Sequence, residues 1–394
     1  MKTNIFLLTL GVLCFCLWGC GVSREEGEGG PLEQAESASE KETWDMEPVI
    51  KKGIASSRYG NGIGVHLRKL EEVGAGWYYN WGSTGPWDET DMEFVPMIWG
   101  AGNVNGTELG KVAKGFAEGK YHNLLTFNEP DMGGEAGGCS MTVEQALEAW
   151  PRLEELGIRL SSPAVAADYD WLRRFMEGCE EKGYRVDFLA VHCYQDVTDD
   201  NSVGNLRKLL LDLYDTYGRP LWLTEFGCID ISTWSGGENP DYTIEASAKY
   251  LEECTAMLEK LGFVERYSFF LDNYGGGANP PEGRYSRLYD DNDEINLIGE
   301  TYRDISSGCA LRLLNESLDM ALTGERYYVK LEAEGGQPPY SFTASGLPKG
   351  LSLDEESGVL EGVYEKGGAR MAIVVTDANG QFNRKIYDIK DRRQ

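Results

Sequence analysis

The stretch "LLTFNEPDMGG", residues 124–134, runs from apolar residues straight into Asn128, Glu129 and Pro130, and "PLWLTEF", residues 220–226, delivers Glu225 at the end of a second apolar run. Two carboxylates facing one cleft, with no histidine base or metal required, are what cleavage of a glycosidic bond asks for. One is protonated and donates to the leaving oxygen; the other is ionised and attacks the anomeric carbon. Asn128, next to Glu129, is the type of residue that hydrogen-bonds a sugar 2-hydroxyl. Taken alone, Asn-Glu-Pro is also an ordinary helix-start turn. Its pairing with "WLTEFG" is what points to catalysis.

Such a pair works only if the fold brings both ends together. Apolar strand-like runs recur at "GIGVH" (62–66), "GWYYNW" (76–81), "FVPMIW" (94–99), "NLLTFN" (123–128), "IRLSSP" (158–163), "VDFLAVHCY" (186–194), "PLWLTEF" (220–226) and "VERYSFFL" (264–271). Amphipathic segments such as "TVEQALEAWPRLEELG" and "TIEASAKYLEECTAMLEKLG" lie between them and end at or near glycine. Eight strands alternating with helices over about 250 residues predict a (β/α)8 TIM barrel. Glu129 and Glu225 are 96 residues apart, which fits three βα units of about 32 residues each. Both then open at the C-terminal ends of strands, where barrels carry their sites.

The same reasoning nominates the other strand ends as substrate contacts. Tyr79, Asn80, Trp81 and Trp99 supply aromatic and polar walls, Tyr194 reaches the nucleophile, and His192 reaches a sugar hydroxyl. Trp77 and Trp222 lie within their strands and are expected in the core. His66 ends the first predicted strand and is a weaker candidate, and His122 is expected to be structural.

From about Ser307 the pattern becomes short, alternating and turn-punctuated, which predicts a small all-β Ig-like sandwich. The chain is thus divided into a lipoprotein-type signal peptide (1–20), an acidic tether (21–50), a catalytic barrel (51–306) and an Ig-like domain (307–394). The signal reading rests on Lys2, the apolar run "IFLLTLGVLCFCLWG" and Cys20, where "LWGC" resembles a bacterial lipobox, although Trp18 stands where small residues are preferred. Cys20 is therefore the expected lipidation site, which implies export to a bacterial cell surface or outer membrane and a membrane partner. A net charge of -28 argues against a nucleic-acid partner. No dinucleotide fingerprint, zinc-binding motif or phosphate loop is present in the sequence, so no cofactor or metal is expected. Six cysteines follow Cys20, and their spacing selects no pairing.

Taken in order, "WYYNW", "FVPMIWG", "FNEPDM", "SPAV", "VDFLAVHCY", "WLTEFG" and "FVERYSFF" resemble glycoside hydrolase family 128, the Asl1-like catalytic domain, across roughly residues 53–305. The C-terminal segment resembles cadherin-like Ig modules, which serve mostly as spacers. The first resemblance implies a retaining endo-β-1,3-glucanase with Glu129 as acid/base and Glu225 as nucleophile. Cys193 stands where relatives often carry an aromatic residue, which leaves chain-length preference open. Two alternatives keep the fold: a non-catalytic glucan-binding surface lipoprotein, and the same chemistry on another β-glycan.

Overall fold

The computed structural model describes residues 50–56, 63–85, 90–134, 137–235, 237, 239–273, 283–365 and 368–390. Cys20, the export segment and the tether up to residue 49 lie outside the described residues.

Among the described residues, nine short parallel strands make eight staves: β1 (Lys52–Ala55), β2 (Trp77–Tyr79), β3 (Glu93–Phe94), β4 (Met97–Ile98), β5 (Asn123–Asn128), β6 (Arg159–Ala164), β7 (Leu189–Asp196), β8 (Leu221–Ile229) and β9 (Val264–Phe270). The hydrogen-bonded order is β3-β2-β1-β9-β8-β7 in one sheet and β4-β5-β6 in another. Pro96 separates β3 from β4 because it has no N–H for the ladder. On one side of this stave Val95 N–H donates to the Tyr78 carbonyl at 2.9 Å, and on the other Leu125 N–H donates to the Pro96 carbonyl at 3.0 Å. Between β6 and β7, Ser162 N–H reaches the Phe188 carbonyl at 2.8 Å and His192 N–H the Val165 carbonyl at 3.0 Å, closing the barrel.

Seven α-helices among the described residues accompany the staves: α1 (Ile63–Glu72), α2 (Gly106–Ala117), α3 (Val143–Glu154), α4 (Tyr169–Lys182), α5 (Ser202–Tyr217), α6 (Ile244–Lys260) and α7 (Leu297–Asp304). Their starts follow capping chemistry. Thr142 forms a reciprocal capping box with Gln145, and Asp168, Thr243 and Asn296 each accept from backbone N–H groups of the first turn. Leu124, Val191, Leu223 and Phe269 face a layer packed against these helices, whereas Trp77, Leu125, Ala190 and Trp222 fill the barrel interior. Strand alternation thus separates two cores. Gly53 is needed beside the inner one, since a Cβ there would lie 2.3 Å from the Trp77 ring.

One predicted strand is wrong. "GIGVH" enters α1, and the first stave is "KGIA" ten residues earlier. The glycine-rich stretch imitated a strand because Ile63, Val65 and their neighbours alternate by chance with small residues, while the buried lysines Lys51 and Lys52 disguised the real one. Each lysine amine is satisfied by two carbonyls, Leu258 and Leu261 for Lys51, Tyr302 and Ile305 for Lys52. Burial lowers both to about 8.

The C-terminal unit comprises β10 (Arg312–Leu313), β11 (Arg326–Lys330), β12 (Ala333–Glu334), β13 (Ser341–Ser345), β14 (Leu351–Leu353), β15 (Val359–Val363), β16 (Ala369–Thr376) and β17 (Phe382–Ile389). Its three-stranded antiparallel sheets, β11-β15-β14 and β13-β16-β17, enclose a core that includes Tyr327, Phe342, Leu360, Ile373 and Tyr387. It docks at the start of β9, where Gly262 N–H donates to the Phe382 carbonyl at 2.6 Å and the Phe263 ring stands 6.2 Å from that of Phe382. This end of the barrel lies opposite the strand C-termini. No helix among the described residues is long and apolar enough to cross a membrane.

Candidate active site

Both carboxylates emerge where strand register slips. The β5–β6 pairing shifts between Leu124 and Asn128, and the β7–β8 pairing shifts between Val191 and His192 so that His192 pairs with Glu225. Bulges at strand ends re-aim side chains. In β5 the slip turns Phe127 outward, with its ring 6.2 Å from that of Trp150, and Glu129 follows with a φ of 44°. Such left-handed backbone is costly for a residue with a side chain and persists where surroundings over-determine it. Here Glu129 N–H donates to the Ala164 carbonyl at 2.8 Å, Asn128 N–H to Trp99 at 2.8 Å, and the Asn128 carbonyl accepts from Cys139 at 2.9 Å.

Glu225 is held by three donors. Tyr79 Oη at 3.1 Å and Trp81 Nε1 at 2.9 Å donate to Oε1, and Tyr194 Oη at 2.5 Å donates to Oε2. Trp81 also has a positive φ, 58°. Phe270 packs edge-on against both Trp81 and Tyr194, at 5.9 and 5.6 Å. The three bonds fix the orientation of the Glu225 carboxylate. Glu129 differs: burial pushes its carboxyl above the usual range, His192 opposes this, and the charges of Glu225 and Asp131 add to the rise. The rise therefore comes first from desolvation, with the neighbouring carboxylate secondary.

His192 lies between the two, its Nδ1 2.8 Å from Glu129 Oε1 and 3.4 Å from Glu225 Oε2. Nδ1 faces two acceptors and so carries a proton. Burial alone would lower its affinity for a second proton, but the charge of Glu225 and the bond to Glu129 raise it overall. With 0% exposure, His192 cannot reach a sugar hydroxyl; it bridges the carboxylates instead. Oxygens of Glu129 and Glu225 and Nδ1 of His192 all lie within 4.8 Å of one another. These are the described groups close enough to hold a metal ion, yet a shared proton accounts for their spacing.

The remaining predicted residues divide. Asn128 is buried, and its Oδ1 has no hydrogen-bond partner. Trp81 and Trp99 flank the inner core at half-buried positions suited to a wall. Tyr79, 0% exposed, is a donor to Glu225 and no wall. Asn80 shapes the loop after β2, accepting from Gly82 N–H at 3.1 Å and donating to the Thr84 carbonyl at 3.2 Å. His66, on α1, meets Ser56 Oγ at 2.5 Å and Asp272 Oδ2 at 3.4 Å, tying α1 to the ends of β1 and β9. His122 is exposed at the opposite end of β5. Sequence reasoning missed Phe270 and Asp131; only the acid immediately after Asn-Glu-Pro signalled the second.

A family model described as glycosyl hydrolase catalytic core matches residues 59–302, more than half of the chain. The chain belongs to that family. It is a glycoside hydrolase, as the resemblance to family 128 implied, and an Ig-domain model matches residues 316–390. Among solved structures, a family 128 subgroup I endo-β-1,3-glucanase from Amycolatopsis mediterranei, crystallised with laminaritriose, is 36% identical, with a TM-score of 0.53 covering 64% of this chain and 98% of that one. A subgroup II endo-β-1,3-glucanase from Sorangium cellulosum is 26% identical, with a TM-score of 0.52 covering 65% and 98%. Alkali-sensitive linkage protein 1 of Schizosaccharomyces pombe is 29% identical over 234 residues, which are 58% of this chain and 40% of that protein. The chain thus spans less than half the length of that curated relative.

Proposed function

We propose that the protein is a retaining endo-β-1,3-glucanase in which Glu225 is the nucleophile and Glu129 the acid/base. The observation that carries this reading is the spacing of the carboxylates, oxygens of which approach within 4.8 Å. Retaining pairs stand about 5–5.5 Å apart, whereas inverting pairs need about 6.5–9.5 Å to admit a water. The β-1,3 linkage is supported by the two solved relatives described above, both endo-β-1,3-glucanases.

In the first step an oxygen of Glu225 attacks the anomeric carbon as the glycosidic oxygen leaves with the proton of Glu129. His192 Nδ1–H occupies Glu129 Oε1, so that proton resides on Oε2. The glycosyl-enzyme ester then forms, and the three donors to Glu225 weaken their hold as its charge is lost. In the second step Glu129, now ionised, takes a proton from water, and the resulting hydroxide releases the sugar. Asn128 Oδ1, an acceptor lacking a protein partner, is suited to the 2-hydroxyl, a bond that tightens in the oxocarbenium-like transition state.

Export and lipidation at Cys20 complete the proposal. The first stave starts beside Cys309, which bridges Ile50 at the barrel end opposite the carboxylates; a tether leaving there would turn the cleft away from an anchoring membrane. Substitution Cys20→Ser should release the protein from the membrane fraction, and unchanged retention would refute the anchor.

Incubation with laminarin, curdlan, lichenan and cellulose, followed by product chromatography and NMR of the first-formed anomer, tests the catalytic reading. Oligosaccharides released from the β-1,3-glucans with the β-anomer first are expected. Initial α-anomer would reject the retaining mechanism, and glucose as sole product would reject endo action. Tight glucan binding without turnover would favour a capture lipoprotein.

A further inference from the structure

Asp131 takes no part in the bonds described so far, yet its surroundings converge on the acid/base. Its carboxylate accepts four hydrogen bonds from three successive backbone N–H groups: Ala166 at 3.2 Å to each oxygen, and Ala167 and Asp168 at 2.8 Å to Oδ2. These belong to the turn between β6 and α4, and Asp168 in turn caps α4. Anions are favoured at such a helix start.

The residues just before those donors carry the site. Ala164 supplies the carbonyl that binds Glu129 N–H at 2.8 Å, and Val165 supplies the carbonyl that binds His192 N–H at 3.0 Å. The segment Ala164–Asp168 is therefore a common platform from which both Glu129 and His192 hang, and Asp131 pins its free half. Because Asp131 is two residues after Glu129, the clamp also closes the loop whose left-handed entry sets the Glu129 side chain. A helix-start turn alone would need only the Asp168 cap; the additional carboxylate, reaching across from the acid/base loop, serves the site.

We propose that Asp131 is a positioning residue of the reaction: its clamp on the β6–α4 turn fixes Glu129 against His192. The proposal rests on the glycosidase reading. The ionisable groups facing Glu129 are His192 from β7, Tyr194 from β7, Glu225 from β8, and Asp131 and Cys139 from its own loop. Of these, Glu225 and Asp131 raise Glu129, and Asp131 also raises His192.

Asp131→Asn retains the size and one acceptor oxygen but loses the charge; Asp131→Glu retains the charge and displaces it. Measured on the whole chain with laminarin, Asp131→Asn should lower kcat by about 10²-fold, the scale of a misplaced catalytic group, with KM within about threefold. Its alkaline limb should move to lower pH, since removing a negative neighbour lets Glu129 lose its proton earlier. Asp131→Glu should recover the position of that limb but not the full kcat. A purely structural Asp131 would instead lower Tm in both variants and leave the limb and the kcat of folded enzyme unchanged, which would overturn the proposal.

A second readout needs no turnover. The chain has three histidines, so 15N-histidine NMR with a His66 or His122 variant for assignment isolates His192. Its titration midpoint should fall in Asp131→Asn. An unmoved midpoint would refute the proposal even if the wild type cleaved none of the glucans, and an inactive wild type with a shifted midpoint would indict the substrate reading alone.

Discussion

At the N-terminal end of the strands, Glu93 and Glu265 point into the barrel and each meets an arginine: Arg266 Nη2 lies 2.5 Å from Glu93, and Arg159 Nη2 lies 2.8 Å from Glu265. At the C-terminal end, Glu129 and Glu225 meet His192, Tyr79, Trp81 and Tyr194. The lower pair is closed by a chain of bonds, with Asn123 joining Arg159 to Glu93 at 3.1 and 3.0 Å and Trp222 Nε1 donating to Glu265 at 2.9 Å. Burial would raise Glu265, but the Arg159 charge and these bonds hold it below its usual value. Burial raises Glu129, and no described arginine offsets it. A fixed positive charge makes a carboxylate structural. Neutral donors and a titratable histidine leave a proton free to move.

The sharpest break in this comparison is at the upper end. Glu225→Gln should reduce turnover by roughly 10⁵-fold, as loss of a nucleophile does, and Glu129→Gln by roughly 10³-fold, as loss of a general acid does. Both should fold, and thermal scans should show equal or higher Tm, because neither carboxyl is tied to a fixed cation and a site tuned for chemistry is held at a cost in stability. Marked destabilisation would mean that the upper carboxylates are structural after all. In the wild type, activity should fall as pH rises through the elevated value of Glu129, because only its protonated form can donate.

The lower end should respond in the opposite currency. Arg159→Leu leaves Glu265 buried without its cation and should cost about 3–5 kcal/mol in denaturant unfolding, with kcat per folded molecule unchanged. Adding Glu265→Leu should return most of that loss, since a replaced pair is often neutral. The sign with pH follows from the depressed Glu265: its contribution is present above the unfolded value and is lost as pH falls through the lower folded one. A large drop in kcat for Arg159→Leu would show that the two ends are coupled through the intervening rings, where Arg266 lies 4.2 Å over Trp222.

Tyr194→Phe is a smaller test of the upper end. It removes one of the three donors that orient Glu225, and a loosened nucleophile should lower kcat/KM roughly 10- to 100-fold. An effect as large as that of Glu225→Gln would show that Tyr79 and Trp81 do not share the load.

That Glu129 and Glu225 meet at one end of the barrel was legible in the sequence, because a carboxylate closing an apolar strand breaks the local pattern and because barrel repeats convert chain separation into angular position. Tyr194 was legible as a donor for the same reason. His192 was legible as a site residue but not in its role, since burial decides between meeting a sugar and bridging two carboxylates. Tyr79 looked like a wall because composition does not show that its ring is fully buried in the barrel, with its hydroxyl against Glu225. The first stave was missed outright: Lys51 and Lys52 read as surface, and only the fold shows carbonyls converging on their amines. Asp131 was invisible as a clamp because its partners are backbone N–H groups that carry no sequence signal.

The smallest effect concerns the Ig-like unit, whose contact with the barrel falls at the structural end. Tyr214 from α5 stacks on Phe263 at 4.3 Å and its Oη meets Asn383 Oδ1 at 3.0 Å, while Arg384 pairs with Asp215. Gly262 lies in the same seam, where a Cβ would come within 2.8 Å of the Leu311 and Phe382 carbonyls. Tyr214→Phe keeps the ring stack and removes one hydrogen bond, which should cost about 1 kcal/mol and leave kcat and KM on laminarin unchanged. Gly262→Ala should do more, since two carbonyls must shift, and calorimetry should then show the Ig-like unit melting apart from the barrel. If either substitution altered KM, the Ig-like unit would have to act on the cleft from the far end of the barrel, and the division between a structural end and a chemical end would fail.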